Sequence, residues 1–565
     1  MVNRRHEWSR QWTSRCPFKE TTRRADNSEE RFSGTTLALA VAMISSSPFA
    51  FNWLFEHAEC APQAPAVGTP AGWLTYQQLA DRVRRLATAF HAAGMAAHSR
   101  VLVALANGQA AVAVSLAIQA IGACAVELDV EWGIEPIAAI ASQTGAQFAV
   151  ILSKNALVWS QTRHKWTHLF LVHPSTQPEP TFETPKREAL SWISHDGDMP
   201  HVECDPSAID ISLAPDTPAL LVYTSGSTGG PRGVIHTHKN ISANTRSICE
   251  YLELGPEDRV MSILPLYYCY GKSLLQTHLC AGGSIFFDHR FTYPHVVMES
   301  IREQQCTGFA GVPLTFELLK RLVNVKALQL SSLRYVTQAG GGMQPETIRW
   351  AREAFAPAQL YVMYGQTEAT ARLSYLPPRD AVAKEGSIGR GIPGVELNIV
   401  DDAGVPCADG VTGHIVARGD NVTPGYFCDS VGTAEILKDG WLWTGDLAYR
   451  DSDGFLFVSG RVKEILKVGG HRVSAVEIEQ EICRHLDVQE AAVVGAPDEI
   501  EGEIPVAFVV AKPGATVDGP ALRKFCRERL PIYKVPKMVY FVAALPRTGA
   551  GKVSKSELRA KIELA

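Results

Sequence analysis

The sequence predicts an α/β protein: a large N-terminal region of layered α/β subdomains plus a β-subdomain, followed by a small, mobile α+β C-terminal domain. Three observations carry this. Apolar runs of strand length alternate with helical-period segments up to about residue 390, the pattern of parallel sheets covered by helices. Residues 395–460 are turn-rich with short runs such as Glu396–Val400 and His414–Ala417, which read as a β-subdomain. Past Gly460 a shorter mixture of strands and helices follows, in a chain of 565 residues that is too long for one core.

Along the chain, Thr75-Tyr76-Gln77-Gln78 reads as a capping box, with Leu79, Val83, Leu86 and Phe90 at helical spacing and Gly94 as the stop. Val101–Leu105 is a strand candidate, residues 110–121 a helix and Cys124–Leu128 a second strand. Residues 155–215, rich in Pro, Asp and Ser, have weak periodicity and are expected to be a surface excursion. A second α/β block spans about 240–390. In the C-terminal part, Ile478, Ile482 and Leu486 mark a helix, Ala491–Val494 and Val506–Val510 strands, and Ala521–Leu530 another helix. No internal repeat is visible.

Composition excludes several function classes. Hydrophobic residues at 46% and charged residues at 20% fit a soluble globular enzyme. A net charge of −5 without a long basic run argues against a nucleic-acid partner. The 12 cysteines are scattered without a Cys-x-x-Cys pair, which suggests reduced thiols in a cytoplasmic protein. No apolar run reaches the ~20 residues that span a bilayer, so no integral membrane segment is expected. Leu37–Ile44 follows an arginine-rich stretch and has the look of a short signal peptide. Residues 1–34, however, are mixed in charge and poor in aliphatics. Residues 1–42 are therefore expected to be a disordered, dispensable extension.

The most informative segment is residues 223–233, Tyr-Thr-Ser-Gly-Ser-Thr-Gly-Gly-Pro-Arg-Gly, which follows the apolar run Ala219-Leu220-Leu221-Val222. A strand feeding a loop of hydroxyls and glycines gathers N–H and O–H groups into a concavity for an anion, best a polyphosphate. It is not a Walker loop, because no Gly-Lys-Ser/Thr follows at the required spacing. A flexible Ser/Gly linker would share the composition but would not be flanked by strand-like residues on both sides.

Further segments follow in order: Tyr364-Gly365-Gln366-Thr367-Glu368, Trp441-Leu442-Trp443-Thr444-Gly445-Asp446, Gly460-Arg461-Val462-Lys463-Glu464-Ile465 and Pro546-Arg547-Thr548-Gly549-Ala550-Gly551-Lys552. With the 223–233 loop, this series resembles the adenylate-forming superfamily of AMP-dependent acyl-CoA synthetases and ligases over roughly residues 45–565. The resemblance implies an adenylation domain at 43–460, opening on a first helix around Phe51–His57, then a hinge near Lys463 and a mobile domain at 464–565. It implies an ATP-dependent acid:coenzyme A ligase that works through an acyl-adenylate. The alternative is a standalone enzyme that loads an acyl group onto a carrier protein. A luciferase-like relative is disfavoured by a terminus of Glu-Leu-Ala in place of the peroxisomal Ser-Lys-Leu.

By the same resemblance, Thr224, Ser225, Gly226, Ser227, Thr228 and Gly229 would hold ATP phosphates. Arg232 stands where the family places lysine, and the two are not interchangeable. Glu368, with Thr228, would hold Mg2+, and Thr367 would touch the phosphates. Gly340, Gly341 and Gly342 would admit the adenine, with Tyr364-Gly365 supplying the stacking ring. Asp446 would accept the ribose hydroxyls, supported by Arg461. Lys552 would be the catalytic cation between carboxylate and α-phosphate, with Glu368 and Arg461 the other catalytic residues. Lys463 would be the pivot that brings Gly469, Gly470 and Arg472 to coenzyme A. The acyl pocket would be built from Tyr268, Tyr270, Gly271, Phe309 and Val312, with Phe316 nearby. Tyr268 replaces a common histidine, and no aspartate lies in 265–273, which disfavours an α-amino acid and suits a fatty or aryl acid. Lys272 would meet a second polar group or point to solvent.

Overall fold

The computed structural model describes residues 45, 47–156, 159, 162, 164–173, 190–209, 212–224, 231–462, 465–468, 471–498, 501–547 and 553–563. The expected extension at 1–42 lies outside the described residues. Among those described, no helix is long and apolar enough to cross a membrane.

The predicted α/β architecture is what the chain forms. Among the described residues the first element is helix Ala50–Cys60, which buries Phe51, Trp53 and Leu54. Helix Tyr76–Ala92 follows, with Thr75 as N-cap and Gln78 closing the capping box. The predicted apolar stripe is the face it buries, and Gly94 takes the left-handed conformation that ends it (φ 89°).

A seven-stranded sheet runs in the order Leu190–Ile193, His168–Val172, Phe148–Leu152, Arg100–Ala104, Cys124–Glu127, Pro218–Thr224 and Arg232–Thr237. All neighbours pair parallel except the last two, which form an antiparallel hairpin around residues 225–230. The first two strands correct the sequence reading: the 155–215 region contributes the edge strand Leu190–Ile193 and its neighbour His168–Val172 instead of only a surface excursion. They are short, and a short edge strand carries little periodicity for a sequence to display.

A nine-stranded sheet begins at residue 65 and takes most of its strands from the second α/β block. Within it Tyr335–Gln338 lies between Gln359–Tyr364 and the central strand Gly308–Gly311, all parallel. The predicted β-subdomain is a five-stranded antiparallel sheet built around Trp441–Arg450, with Leu456–Arg461 along one side. Another five-stranded sheet follows, from Ile465–Val468 to Met538–Phe541, packed with helices Ala475–Ile482 and Gly519–Arg527. Leu486 is a second correction, since the helix stops at Ile482 and Leu486 is 85% exposed. The two halves meet where the Ser474 hydroxyl donates to the Ser459 carbonyl.

Candidate functional site

The carboxyl ends of the central strands, the hairpin and the β-subdomain converge on one region. Thr224 and Arg232 face each other at the base of the hairpin. Ser225, Gly226, Ser227, Thr228 and Gly229 lie outside the described residues. A third backbone strip joins the hairpin: the Ile235 N–H donates to the Gly425 carbonyl (3.1 Å), and the Phe427 N–H donates to the Gly233 carbonyl (2.7 Å).

Strand Gln359–Tyr364 runs into a tight turn at Thr367–Ala369. Only glycine fits at 365, because a Cβ there would lie 2.1 Å from the Ala371 carbonyl oxygen. The turn is tied down from outside. His236 Nε2–H donates to the Thr367 carbonyl (2.7 Å), and the Glu368 carbonyl accepts from the Thr423 N–H (2.9 Å). Burial pushes the His236 imidazole down to about 4, so it is a neutral donor at ordinary pH. The Glu368 carboxylate is half-buried, with Oε1 accepting from the Tyr426 hydroxyl at 2.7 Å.

Asp446 is buried on strand Trp441–Arg450 and stands in register with Arg461 across the antiparallel ladder. Its Oδ1 lies 2.8 Å from Arg461 Nε, and its Oδ2 accepts from the Tyr364 hydroxyl at 2.6 Å. Burial and the neighbouring carboxylate raise the Tyr364 phenol well above its ordinary value, so it stays a donor. Gly340 takes a left-handed conformation (φ 87°) beside Val312, and Gly341 and Gly342 are exposed.

Arg232 lies over the Tyr426 ring (5.3 Å to the centroid) and reaches Asp429 at 3.4 Å and Glu435 at 3.8 Å. Lys463, Gly469, Gly470 and Lys552 lie outside the described residues. Arg472 belongs to strand His471–Ser474.

Of the residues expected to line the acyl pocket, Phe309 is fully buried against Phe316 and Phe355. In a strand buried on both faces, the residue that faces the helices behind the sheet is as apolar as the one in front. Tyr270 is also buried, with its hydroxyl on the Thr337 carbonyl (3.0 Å) and the Arg372 guanidinium over its ring (4.1 Å). Gly271 is there for a close approach, since a Cβ would sit 2.1 Å from the Pro265 carbonyl oxygen. Tyr268 and Val312 are only partly buried. Burial lifts the Tyr268 phenol to about 12. Cys269 places its Sγ 3.6 Å from Thr367 Oγ1, which sets this segment beside the Glu368 turn.

Sequence reasoning missed Tyr426, His236 and the destination of Lys272. Lys272 is buried and lies 2.5 Å from Glu127 Oε1 on the other large sheet. Hydroxyl or imidazole tips on apolar bodies carry no periodic signal, so only tertiary pairing reveals them.

The donors suit a hard cation in one way. Among the described residues no cluster of three or more His, Cys, Asp or Glu forms a cage. A cation at Glu368 would therefore rest on one carboxylate oxygen together with ligand oxygens and water, which is the ordinary arrangement for Mg2+. Glu368 Oε2 has no hydrogen bond to another described residue, which leaves it for such a role.

Residues 54–427 match the family model described as AMP-binding enzyme, and residues 477–552 match that of the AMP-binding enzyme C-terminal domain. The chain is 32% identical over 508 residues to indoleacetate--CoA ligase of Aromatoleum aromaticum, covering 90% of this chain and 97% of that one. It is 32% identical over 501 residues to sulfoacetate--CoA ligase of Cupriavidus necator, covering 86% and 92%. Its fold is similar to that of o-succinylbenzoate CoA synthetase from Bacillus subtilis in complex with an acyl-adenylate intermediate (TM-score 0.76, 27% identity, 91% of this chain and 98% of that one).

Proposed function

The chain belongs to the AMP-binding enzyme family and is an AMP-forming acyl-CoA synthetase in class, and we propose that it joins a fatty or aryl carboxylic acid to coenzyme A at the expense of ATP. The reading rests above all on one observation: a buried carboxylate, Asp446, is held between Tyr364 and Arg461 beside the Glu368 turn and the phosphate-loop hairpin.

A carboxylate is a poor electrophile, and it must first attack the α-phosphate of ATP, breaking the bond to the β-phosphate and expelling pyrophosphate, to become an acyl-adenylate. Two anions meet in that step, so the site has to supply fixed donors and cations where charge builds up. Residues 224–229 and Arg232 are assigned to the β- and γ-phosphates, and Thr367 to the same region. Asp446 accepts from the ribose hydroxyls, with Arg461 beside it. Gly340, Gly341 and Gly342 leave the backbone open to the flat adenine. Mg2+, when bound at Glu368, would neutralise polyphosphate charge. Lys552 is assigned to bridge the acid and the α-phosphate.

In the second half reaction the thiol of coenzyme A displaces AMP. Rotation near Lys463 would exchange the Lys552 loop for Gly469, Gly470 and Arg472, a rearrangement of the kind that gates many two-step enzymes. The relatives named above act on chemically different acids, so the likeness does not choose among them. The half-buried aromatic pair Tyr267–Tyr268, with ring centroids 4.6 Å apart, favours an acid with an apolar or aromatic body.

The test is ATP–pyrophosphate exchange over a panel of fatty, aryl and short polar acids, followed by thioester assays with coenzyme A and with a carrier-protein thiol. Exchange with a fatty or aryl acid and thioester on coenzyme A are expected. Lys552→Ala should abolish exchange while sparing thioester formation from supplied adenylate. Exchange confined to short polar acids, or transfer to the carrier protein alone, would overturn the reading.

A further inference from the structure

Resting on that reading of Glu368 as the metal carboxylate, we propose that Tyr426 is a positioning residue that orients this carboxylate from the base of the phosphate-loop hairpin.

Tyr426 sits 58 residues from Glu368 in sequence, yet its hydroxyl donates to Glu368 Oε1 at 2.7 Å. This fixes one oxygen and, among the described residues, leaves the other for a ligand. The tyrosine is itself immobilised on two sides. Its backbone N–H donates to Thr433 Oγ1 (2.9 Å), whose hydroxyl donates to the Asp429 carbonyl (2.7 Å). Its backbone also bridges to Val234 on the second hairpin strand. Gly425 before it is packed so closely that a Cβ would meet Thr433 Cγ2 at 2.5 Å.

Arg232 completes the arrangement. Its guanidinium lies over the Tyr426 ring and is held by Asp429, the N-cap of helix Ser430–Ile436. The residue that ends the phosphate loop and the residue assigned to the metal thus rest on the same aromatic side chain. A tyrosine serving only to fill space would not need its hydroxyl on a carboxylate. A phenol also orients an anion without cancelling its charge.

Tyr426→Phe removes the hydrogen bond and keeps the ring, the backbone strip and the contact with Arg232. The measurement is calorimetric affinity for ATP with EDTA and with Mg2+. In the wild type Mg2+ should strengthen ATP binding. In Tyr426→Phe that gain should shrink by about 10-fold, the low end for a hydrogen bond to a charged acceptor, with the metal-free affinity unchanged. Glu368→Gln should remove the gain, and adding Tyr426→Phe to it should change nothing more.

Equal weakening with and without Mg2+, an unchanged Mg2+ gain, or failure of the Phe variant to fold would each overturn the proposal. The first and last would mark the hydroxyl as purely structural. A wild type whose ATP binding ignores Mg2+ would instead sink the reading of Glu368, and this proposal with it.

Discussion

Asp446→Asn tests the nucleotide site most directly. The carboxylate offers about four lone-pair positions. Arg461 takes one at Oδ1 and the Tyr364 hydroxyl takes one at Oδ2, which leaves one on each oxygen for a vicinal diol. Asp446 is 2% exposed while the Arg461 side chain is 54% exposed, so the ribose has to arrive from the Arg461 side. Asparagine replaces one oxygen by an NH2 that cannot accept. One ribose hydroxyl then loses a charged acceptor, at a cost of ~1.5–3 kcal/mol, which predicts a 10- to 150-fold weaker ATP dissociation constant (about 1.4 kcal/mol per decade). The decisive assay pairs the variant with 2′-deoxy- and 3′-deoxy-ATP in calorimetry. The wild type should discriminate against both analogues. The variant should discriminate little against the one whose missing hydroxyl it no longer holds. Equal discrimination by the two proteins, or a variant that binds ATP like the wild type, would refute the diol assignment.

Two further outcomes are expected. Lys272→Met leaves the Glu127 charge with only the Ser115 hydroxyl in a site where the lysine and glutamate side chains are 6% and 7% exposed, and should cost ~3–5 kcal/mol in urea unfolding. Replacing both by methionine should cost far less than the single change, and simple additivity would show that the two are not coupled. Burial pushes His236, His238 and His278 down to about 4 from an ordinary 6.5. Between those values the unfolded chain binds protons that the folded rings refuse. Their contribution is therefore complete above pH 6.5 and lost as pH falls toward 4, and a melting temperature that stays flat from pH 7 to pH 5 would contradict it.

What the sequence could show follows from which interactions are local. The Thr75 cap, its apolar stripe and the Gly94 stop lie within one helix, so composition and spacing suffice to place them. The 223–233 segment stands out by composition alone, hydroxyls and glycines after an apolar run, whereas Asp446 is singled out only by the resemblance that Thr444-Gly445-Asp446 carries. At Phe309 spacing stops being informative. Its strand is buried on both faces, and the alternation that would separate site from core is absent. Lys272 was undecidable, since its partner lies 145 residues away on another sheet. His236 and Tyr426 escaped notice because their work is done by single polar atoms on otherwise buried side chains.

The two carboxylates of the site are held in the same way, and the choice of partner has a chemical reason. Asp446 accepts from the Tyr364 hydroxyl at 2.6 Å, and Glu368 accepts from the Tyr426 hydroxyl at 2.7 Å. A lysine or arginine in either tyrosine's place would orient the group equally well but would spend its charge, which a metal or a hydroxyl donor needs intact. A serine or threonine could donate, but it lacks the rigid reach of a ring anchored in the core. Tyrosine gives a donor of high pKa at the end of a stiff apolar lever, so each anion is aimed and remains an anion. Arg461, the cation that touches Asp446 among the described residues, is half exposed, and water screens its pull. The site is thus preorganised by neutral donors, which leaves its negative charges for what binds there.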